Sequence, residues 1–163
     1  MKQIINTLRQ TDIFDQFSQT QLELVARVGN EKSFSEGELI IREGTDDDGL
    51  FVIAEGQVLV QVNTGLVSRS DPSRERVETI ATLRRGQSFG EIALVDQGLR
   101  SASVVAGEGG VRVLEFGREE LLKICQEYPQ LGFQLMYNLA ADLAMKLRTT
   151  GLRIREKILY GNQ

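Results

Sequence analysis

The chain has 163 residues, of which 41% are hydrophobic and 26% charged, with a net charge of −4. This balance is typical of one soluble globular domain, and the acidic total argues against sequence-independent binding to nucleic acid. The sequence contains no histidine, which removes the Ser-His-Asp, Cys-His and His-metal constellations, so we expect no enzyme activity. The single cysteine cannot form an internal disulfide, and the N-terminus lacks the pattern of a secretory signal, which together predict a cytoplasmic location.

The first thirty residues are predicted to be helical. Ile4, Ile5 and Leu8 recur at helical spacing. The segment Ser18-Gln19-Thr20 is a typical cap before a second apolar stripe, and Gly29-Asn30 is a typical stop signal. We therefore expect helices over residues 1–30.

After these helices, glycines separate short segments rich in Val, Ile, Leu and Phe. Residues 50–53 form a continuous apolar run, and residues 58–62 alternate between apolar and polar, as strands do. Residues 55–56 are predicted to turn the chain, and residues 104–106 and 111–114 to form another strand pair around a glycine-rich turn. The pattern predicts a mainly β protein with flanking helices, built on an all-β roll, barrel or sandwich.

Two polar stretches interrupt the predicted strands. Residues 63–78 are predicted to be a long exposed hairpin loop. Residues 46–49, Asp-Asp-Asp-Gly, are the only dense acidic cluster, but they lack the alternating ligands and terminal Glu of a calcium loop. We interpret them as a solvated turn.

Helix is predicted again from Arg118 and, after Pro129, to about residue 158. The helix is apolar on two faces, so it needs two partners, its own domain and a second copy of the chain. Gly151 marks a candidate hinge, because glycine costs about 1 kcal/mol relative to Ala inside a helix. One predicted face consists of Leu131, Leu135 and Leu139. The other, an approximate heptad seam, consists of Phe133, Met136, Ala140, Leu143, Leu147, Thr150 and Ile154. The basic residues scattered around this helix are interpreted as keeping it soluble: Lys146, Arg148, Arg153, Arg155 and Lys157.

The most informative segment is Phe89–Leu94, followed at a fixed distance by Arg100–Val104. Gly90 lets the backbone approach a ligand closely because it has no Cβ. Arg100 offers a planar fork that suits two phosphate oxygens, and Glu91 can accept a hydrogen bond from a sugar hydroxyl. The alternative is a surface turn in which Glu91 and Arg100 are solvated or paired with each other.

This arrangement resembles the phosphate-binding cassette of cyclic nucleotide-binding domains, in which Phe-Gly-Glu, an aliphatic residue, Ala-Leu and a short loop precede Arg, a small residue and Ala. In that family the Glu binds the ribose 2′-hydroxyl, the Arg binds the cyclic phosphate, and backbone amides complete the cradle. The resemblance spans roughly residues 13 to 150 and assigns these roles to Gly90, Glu91, Ile92, Arg100, Ser101 and Ala102. The base-facing walls of relatives come from roll strands, which makes Val60 and Ile80 candidates, although core filling is the alternative for both.

The resemblance implies an antiparallel β-roll of the jelly-roll type with N-terminal helices and a long C-terminal helix. The expected division of a single domain, 1–163, is N-terminal helices at 1–30, the roll at 31–117 and C-terminal helices at 118–160. The implied ligand is cAMP or cGMP, with cAMP favoured as the commoner bacterial messenger, and no other cofactor. Such a sensor would signal through its C-terminal helix to an unidentified effector protein as a homodimer. The alternative is a structural or protein-interaction domain that no longer depends on a ligand.

Regulators resembling the catabolite activator protein carry a helix-turn-helix after this helix. None fits between Ile158 and Gln163, so we expect no direct DNA binding, and no apolar run suggests membrane insertion. The alternative is that the chain is a fragment of a larger channel, kinase or transcription factor.

Overall fold

The structure is a computed structural model, and it describes residues 1–63, 77–96 and 98–160. Most of the predicted hairpin loop, residues 64–76, lies outside the described residues. Its two ends do not belong to a loop, because one strand reaches Asn63 and the next begins at Val77.

Helices flank a set of strands in the chain order that the sequence predicts. The helices are α1 (Lys2–Arg9), α2 (Gln19–Ala26), α3 (Glu91–Asp96), α4 (Arg118–Glu127) and α5 (Pro129–Tyr160), with a short 3₁₀ turn at Asp12–Phe14. The strands are β1 (Gly29–Phe34), β2 (Leu39–Ile41), β3 (Leu50–Asn63), β4 (Val77–Arg84), β5 (Ser88–Phe89) and β6 (Ser103–Phe116). Ser18 caps α2 through a reciprocal pair of hydrogen bonds with Gln21, as its sequence position predicts.

Within the described residues the strands form one antiparallel sheet in the order β1-β6-β3-β4, with β2 paired to β6 and β5 to β3. The predicted fold class, an antiparallel roll with flanking helices and a long C-terminal helix, is confirmed. The division into residue ranges stays a prediction, although strand β1 begins at Gly29, two residues before the expected start of the roll.

The predicted turns inside the two longest strands are wrong. Strands β3 and β6 each continue for 14 residues and pair with each other. Gly56 pairs with Val111 while Val58 pairs with Ala106, so residues 107–110 form a bulge rather than a hairpin. A Cβ on Gly56 would collide with the carbonyl oxygen of Gly110. The glycines thus permit close backbone approach where the strands bend, which a sequence pattern cannot distinguish from a turn.

The continuous apolar run in β3 is explained by burial on both of its faces. Leu50 and Val52 pack into a core shared with the helices, whereas Phe51 and Ile53 pack into a second core inside the roll. Successive strand side chains point to opposite faces, so a strand between two cores is apolar at every position. The roll is therefore closed on one side by helices and filled on the other by its own side chains.

Helix α5 lies against the helical core through Leu131, Leu135 and Leu139, the face that the sequence predicts. Its amino-terminal half is also held by Asn138, whose Nδ2 donates to the carbonyl oxygens of Ile13 (3.1 Å) and Asp15 (2.9 Å).

The outward face of α5 differs from the predicted heptad seam. Met136 packs against the helical core instead of facing outward. The helix is unbroken at Gly151, the predicted hinge. The large apolar residues exposed along one stripe with a heptad spacing are Phe133, Tyr137, Leu147, Ile154 and Ile158. Among the residues described, no helix combines the length and apolar character that crossing a bilayer requires.

Candidate functional site

A cavity of about 450 Å³ lies between the roll and helix α5. All eight residues that the sequence assigns to a ligand site line this one cavity. They are Val60, Ile80, Gly90, Glu91, Ile92, Arg100, Ser101 and Ala102. Their position is thus established by the fold, while their role in binding a ligand stays a prediction.

Arg100 lies in the cassette wall of the cavity, with its side chain only 4% exposed. Its Nε donates to Oδ1 of Asp47 at 2.8 Å, and its Nη2 donates to the same carboxylate oxygen. Nη2 also donates to the carbonyl oxygen of Gly49 (2.7 Å), and Nη1 donates to that of Gly90 (3.0 Å). A guanidinium has five N–H groups, so four of them hold Arg100 in place and one, on Nη1, is left over.

Gly90 is required by the space around Arg100. Its φ is +80°, a conformation that residues with a Cβ rarely adopt. A Cβ at this position would lie 2.6 Å from the carbonyl oxygen of Gly49 and 2.8 Å from Nη1 of Arg100. Glycine therefore allows the turn before α3 to lie directly against the guanidinium.

Asp47 is the counter-ion of Arg100, a role that the sequence did not reveal. Burial opposes ionisation, but hydrogen bonds from Arg100 and Thr45 outweigh it and hold the pKa of Asp47 below its usual value. Residues 46–48 are exposed, as a solvated turn requires, and the Asp47 side chain is 47% exposed while it also serves as this counter-ion. The partners are 53 residues apart, and no local pattern links them.

Glu91 faces the same cavity from the first turn of α3, with its side chain 8% exposed. Its Oε1 accepts a hydrogen bond from Nζ of Lys146 on α5 at 2.9 Å. Lys146 also donates to the carbonyl oxygen of Ser88 (2.9 Å) and forms an ion pair with Asp142 (2.7 Å). The alternative in which Glu91 and Arg100 pair with each other is thus wrong, because each has its own counter-ion.

Lys146 ties helix α5 to the cassette. Burial disfavours the charged ammonium, but the carboxylates of Glu91 and Asp142 outweigh that penalty and raise the pKa of Lys146. The interpretation of Lys146 as a solubilising surface residue is therefore wrong. Its position four residues after Asp142 was a visible signal of a helical ion pair, but the third partner, Glu91, is 55 residues away in the chain.

The rest of the α5 wall is less tightly held. The hydroxyl groups of Thr149 and Thr150 donate to the carbonyl oxygens of Met145 (3.0 Å) and Lys146 (2.9 Å) within the helix. Nη1 of Arg153 donates to the carbonyl oxygen of Ile80 on β4 at 2.9 Å. All three side chains belong to residues that line the cavity.

The two candidate base-wall residues differ in environment. Val60 is partly buried and packs against the core of the roll as well as lining the cavity, so it serves the fold even without a ligand. Ile80 is 48% exposed and lines the cavity. Core filling, the alternative for both residues, therefore does not account for Ile80.

Comparison with known proteins shows which family the chain matches. The family model described as "Cyclic nucleotide-binding domain" matches residues 31–128, which is more than half of the chain and includes the whole roll from Glu31 onward and helices α3 and α4.

Two curated relatives illustrate the range of proteins that this chain resembles. A cGMP-dependent protein kinase of Caenorhabditis elegans is 33% identical over 129 residues, which are 79% of this chain and 16% of the kinase. The cyclic AMP receptor protein of Thermus thermophilus is 30% identical over 148 residues, which are 90% of this chain and 62% of that protein. The chain therefore spans less than a fifth of the kinase and under two thirds of the receptor protein.

Solved structures resemble the whole fold. A cyclic nucleotide-binding domain from Methylobacillus flagellatus has a TM-score of 0.79 at 23% identity, over 96% of this chain and 83% of that one. The catabolite activator protein of Thermus thermophilus has a TM-score of 0.73 at 28% identity, over 89% of this chain and 62% of that one. At 23% identity, the first of these likenesses supports the fold alone.

Proposed function

This chain belongs to the cyclic nucleotide-binding domain family, and from that premise we propose that it is a sensor that binds a 3′,5′-cyclic nucleotide between the roll and helix α5. The observation that carries the proposal is the convergence of the predicted residues on one cavity, with Arg100 and Glu91 facing it and not bonded to each other. A guanidinium suits the cyclic phosphate, and a carboxylate suits the ribose 2′-hydroxyl.

Arg100 would meet the phosphate as a pre-positioned group. Asp47 and two carbonyl oxygens fix its plane, so little side-chain entropy is lost when the ligand arrives. The phosphate uses the remaining N–H on Nη1 and gains further contacts by exchange with the carbonyl oxygen of Gly90. The negative charge of Asp47 opposes the phosphate, so binding has to offset that repulsion.

Glu91 can hold the sugar without releasing Lys146. An ionised carboxylate has about four lone-pair sites, and Lys146 uses one of them, on Oε1. Oε2 is left for the ribose hydroxyl. The ammonium also neutralises Glu91, which reduces the repulsion between this carboxylate and an incoming phosphate.

Signalling through α5 follows from the same contacts. The helix forms one wall of the cavity through Met145, Lys146, Thr149, Thr150 and Arg153. A ligand that contacts this wall and the cassette together favours the position of α5 seen here, by its differential affinity for the two states. The exposed apolar stripe on the outer side of α5 would then pair with a second copy of the chain, and a cytoplasmic effector would respond to that dimer.

The identity of the base, adenine or guanine, is the finer part of the proposal. We favour cAMP over cGMP only because cAMP is the commoner bacterial messenger, and that preference stays a prediction.

Isothermal titration calorimetry of the purified chain with cAMP and with cGMP tests the proposal, with linear 5′-AMP as the control for non-specific nucleotide binding. We expect saturable binding of a cyclic nucleotide with one site per chain and little or no heat from 5′-AMP. No heat from either cyclic nucleotide at millimolar concentration would refute the proposed function.

One observation favours the alternative of a ligand-independent interaction domain. Both charged site residues already have partners within the protein, so neither is left as an uncompensated charge. Light scattering with and without cyclic nucleotide separates the two functions, since only the sensor predicts an oligomeric state that changes with ligand.

A further inference from the structure

The structure has a second, polar cavity, which we call the arginine groove. It has a volume of about 600 Å³ and lies between helix α1 and strand β3. None of the residues that line it lines the cavity between the roll and α5. The residues that define it are three side-chain amides, Gln3, Asn6 and Gln10, and three arginines, Arg9, Arg85 and Arg112.

Two of the three arginines carry a charge that no carboxylate compensates. Nη2 of Arg9 donates a hydrogen bond to Oε1 of Gln19, and Nη2 of Arg85 donates to Oε1 of Gln10 at 2.7 Å. Both acceptors are neutral amides, and in the part of the chain that the structure describes neither guanidinium forms an ion pair. A guanidinium has five N–H groups, so each of these two keeps four for a partner molecule.

The backbone holds these two arginines close together. Gly86 adopts a φ of +84°, and a Cβ there would lie 2.7 Å from the carbonyl oxygen of Gln10. The amide of Gly86 also donates to the carbonyl oxygen of Ile53 on β3 at 3.0 Å. The turn that carries Arg85 therefore lies directly against the end of α1, next to Arg9.

The other end of the groove is electrostatically different. Nη1 of Arg112 donates to Oε1 of Glu31 (3.2 Å), and Nη2 donates to Oε2 of Glu55 (3.0 Å). Arg112 lies on β6 along one edge of β3, whereas Arg85 lies beside the other edge. Neighbouring strands are about 4.8 Å apart, so the backbones at Arg85 and Arg112 are separated by roughly 10 Å. The groove thus has a positive end and a compensated end.

This arrangement fits an acidic protein segment better than a compact polyanion. Carboxylates bind a guanidinium in the same bidentate way as phosphates do. The side-chain amides offer acceptors as well as donors, which match the N–H and C=O groups of a peptide backbone, whereas the oxygens of a phosphate chain only accept. The carboxylate of Glu55 would also repel a polyanion that filled the whole groove.

We propose that the arginine groove is a docking site for an acidic segment of a partner protein, with carboxylates of that segment bound to Arg9 and Arg85. Charge complementarity of this kind provides specificity and speeds association. The groove shares no lining residue with the nucleotide cavity. The inference therefore goes beyond the proposed function and holds whether or not a cyclic nucleotide binds.

The test is a ¹H–¹⁵N NMR titration of the full chain with a hexaglutamate peptide. A glycine-serine peptide of the same length is the neutral control, and tripolyphosphate is the compact polyanion. The variants are Arg9→Gln, Arg85→Gln and the double variant. The matched control is Arg84→Gln, which makes the same change in charge at an adjacent exposed residue that does not line the groove.

We expect hexaglutamate to shift the amide signals of α1 and of the turn at Arg85 saturably, and the neutral peptide to shift none of them. Each single variant should weaken binding about two- to fivefold, the range for an exposed ion pair, and the double variant about tenfold. Arg84→Gln should stay within about twofold of the wild type. Added salt should weaken binding to the wild-type chain.

Three results would overturn the assignment. The first is no saturable shift with millimolar hexaglutamate. The second is an equal loss of affinity in Arg84→Gln and Arg85→Gln, which would mean that only the total charge matters. The third is tighter binding of tripolyphosphate than of hexaglutamate at the same signals, which would assign the groove to phosphate compounds instead of a protein. All three leave the proposed binding of a cyclic nucleotide unaffected.

Discussion

The two walls of the cavity are built in different ways. The cassette wall is compact, with Arg100 4% exposed and fixed by four hydrogen bonds, and with no room for a Cβ at Gly90 beside it. The α5 wall is a helix whose cavity-lining part is held to the roll mainly by Lys146, 30% exposed, and by one hydrogen bond from Arg153. A tightly packed wall is suited to contribute most of the binding affinity, whereas a wall with few contacts can change position when a ligand arrives.

The largest expected difference between the walls is in affinity. Arg100→Met should weaken cyclic nucleotide binding roughly a hundredfold or more, because it removes charge-assisted hydrogen bonds to the phosphate. Lys146→Met should weaken it by about tenfold or less, since Glu91 remains to accept the ribose hydroxyl. Calorimetry on both variants, with Ser101→Ala as the control in the cassette, measures the contrast. Equal losses in the two variants would contradict the division of roles.

The next difference is in tolerance to an added methyl group. Gly90→Ala should destabilise the fold by about 2 kcal/mol, because alanine is strained at positive φ and its Cβ would collide with Gly49 and Arg100. Gly151→Ala, in α5, should stabilise it by up to about 1 kcal/mol, since a Cβ there meets nothing within 4 Å. Urea denaturation of both variants checks the signs. A stability of Gly90→Ala equal to that of the wild type would show that the cassette is not packed as described.

The smallest difference is in pH dependence, where the two walls should respond at opposite ends of the scale. The pKa of Asp47 is lowered, so its stabilising pairing is fully present above the unfolded value of about 3.9 and is lost as pH falls through the folded value. The pKa of Lys146 is raised, so its contribution is fully present below about 10.4 and is lost as pH rises through the folded value.

Denaturation of wild type, Asp47→Asn and Lys146→Met across pH measures these effects. The difference between wild type and Asp47→Asn should shrink in acid, and that between wild type and Lys146→Met should shrink in alkali. Differences in stability that stay constant through both pH ranges would mean that the ion pairs do not depend on the charges of Asp47 and Lys146.

The two walls also differ in how well the sequence predicts them. Gly90, Glu91 and Arg100 lie within eleven residues of one another, so motif spacing locates them together. Asp47 and Lys146 contact that motif from 53 and 55 residues away, and the hydrophobic pattern carries no information on which polar residues meet across the fold. The bulge at residues 107–110 differs from the predicted turn because glycine permits a turn and a bent strand alike.

The most direct test of the central claim follows the Arg100 side-chain Nε–H and the Gly90 amide by ¹H–¹⁵N NMR during titration with a cyclic nucleotide. We predict that both signals shift saturably with one ligand per chain, because the cyclic phosphate binds against this guanidinium and this turn. Saturable binding that leaves both signals unchanged would place the nucleotide elsewhere and contradict the account.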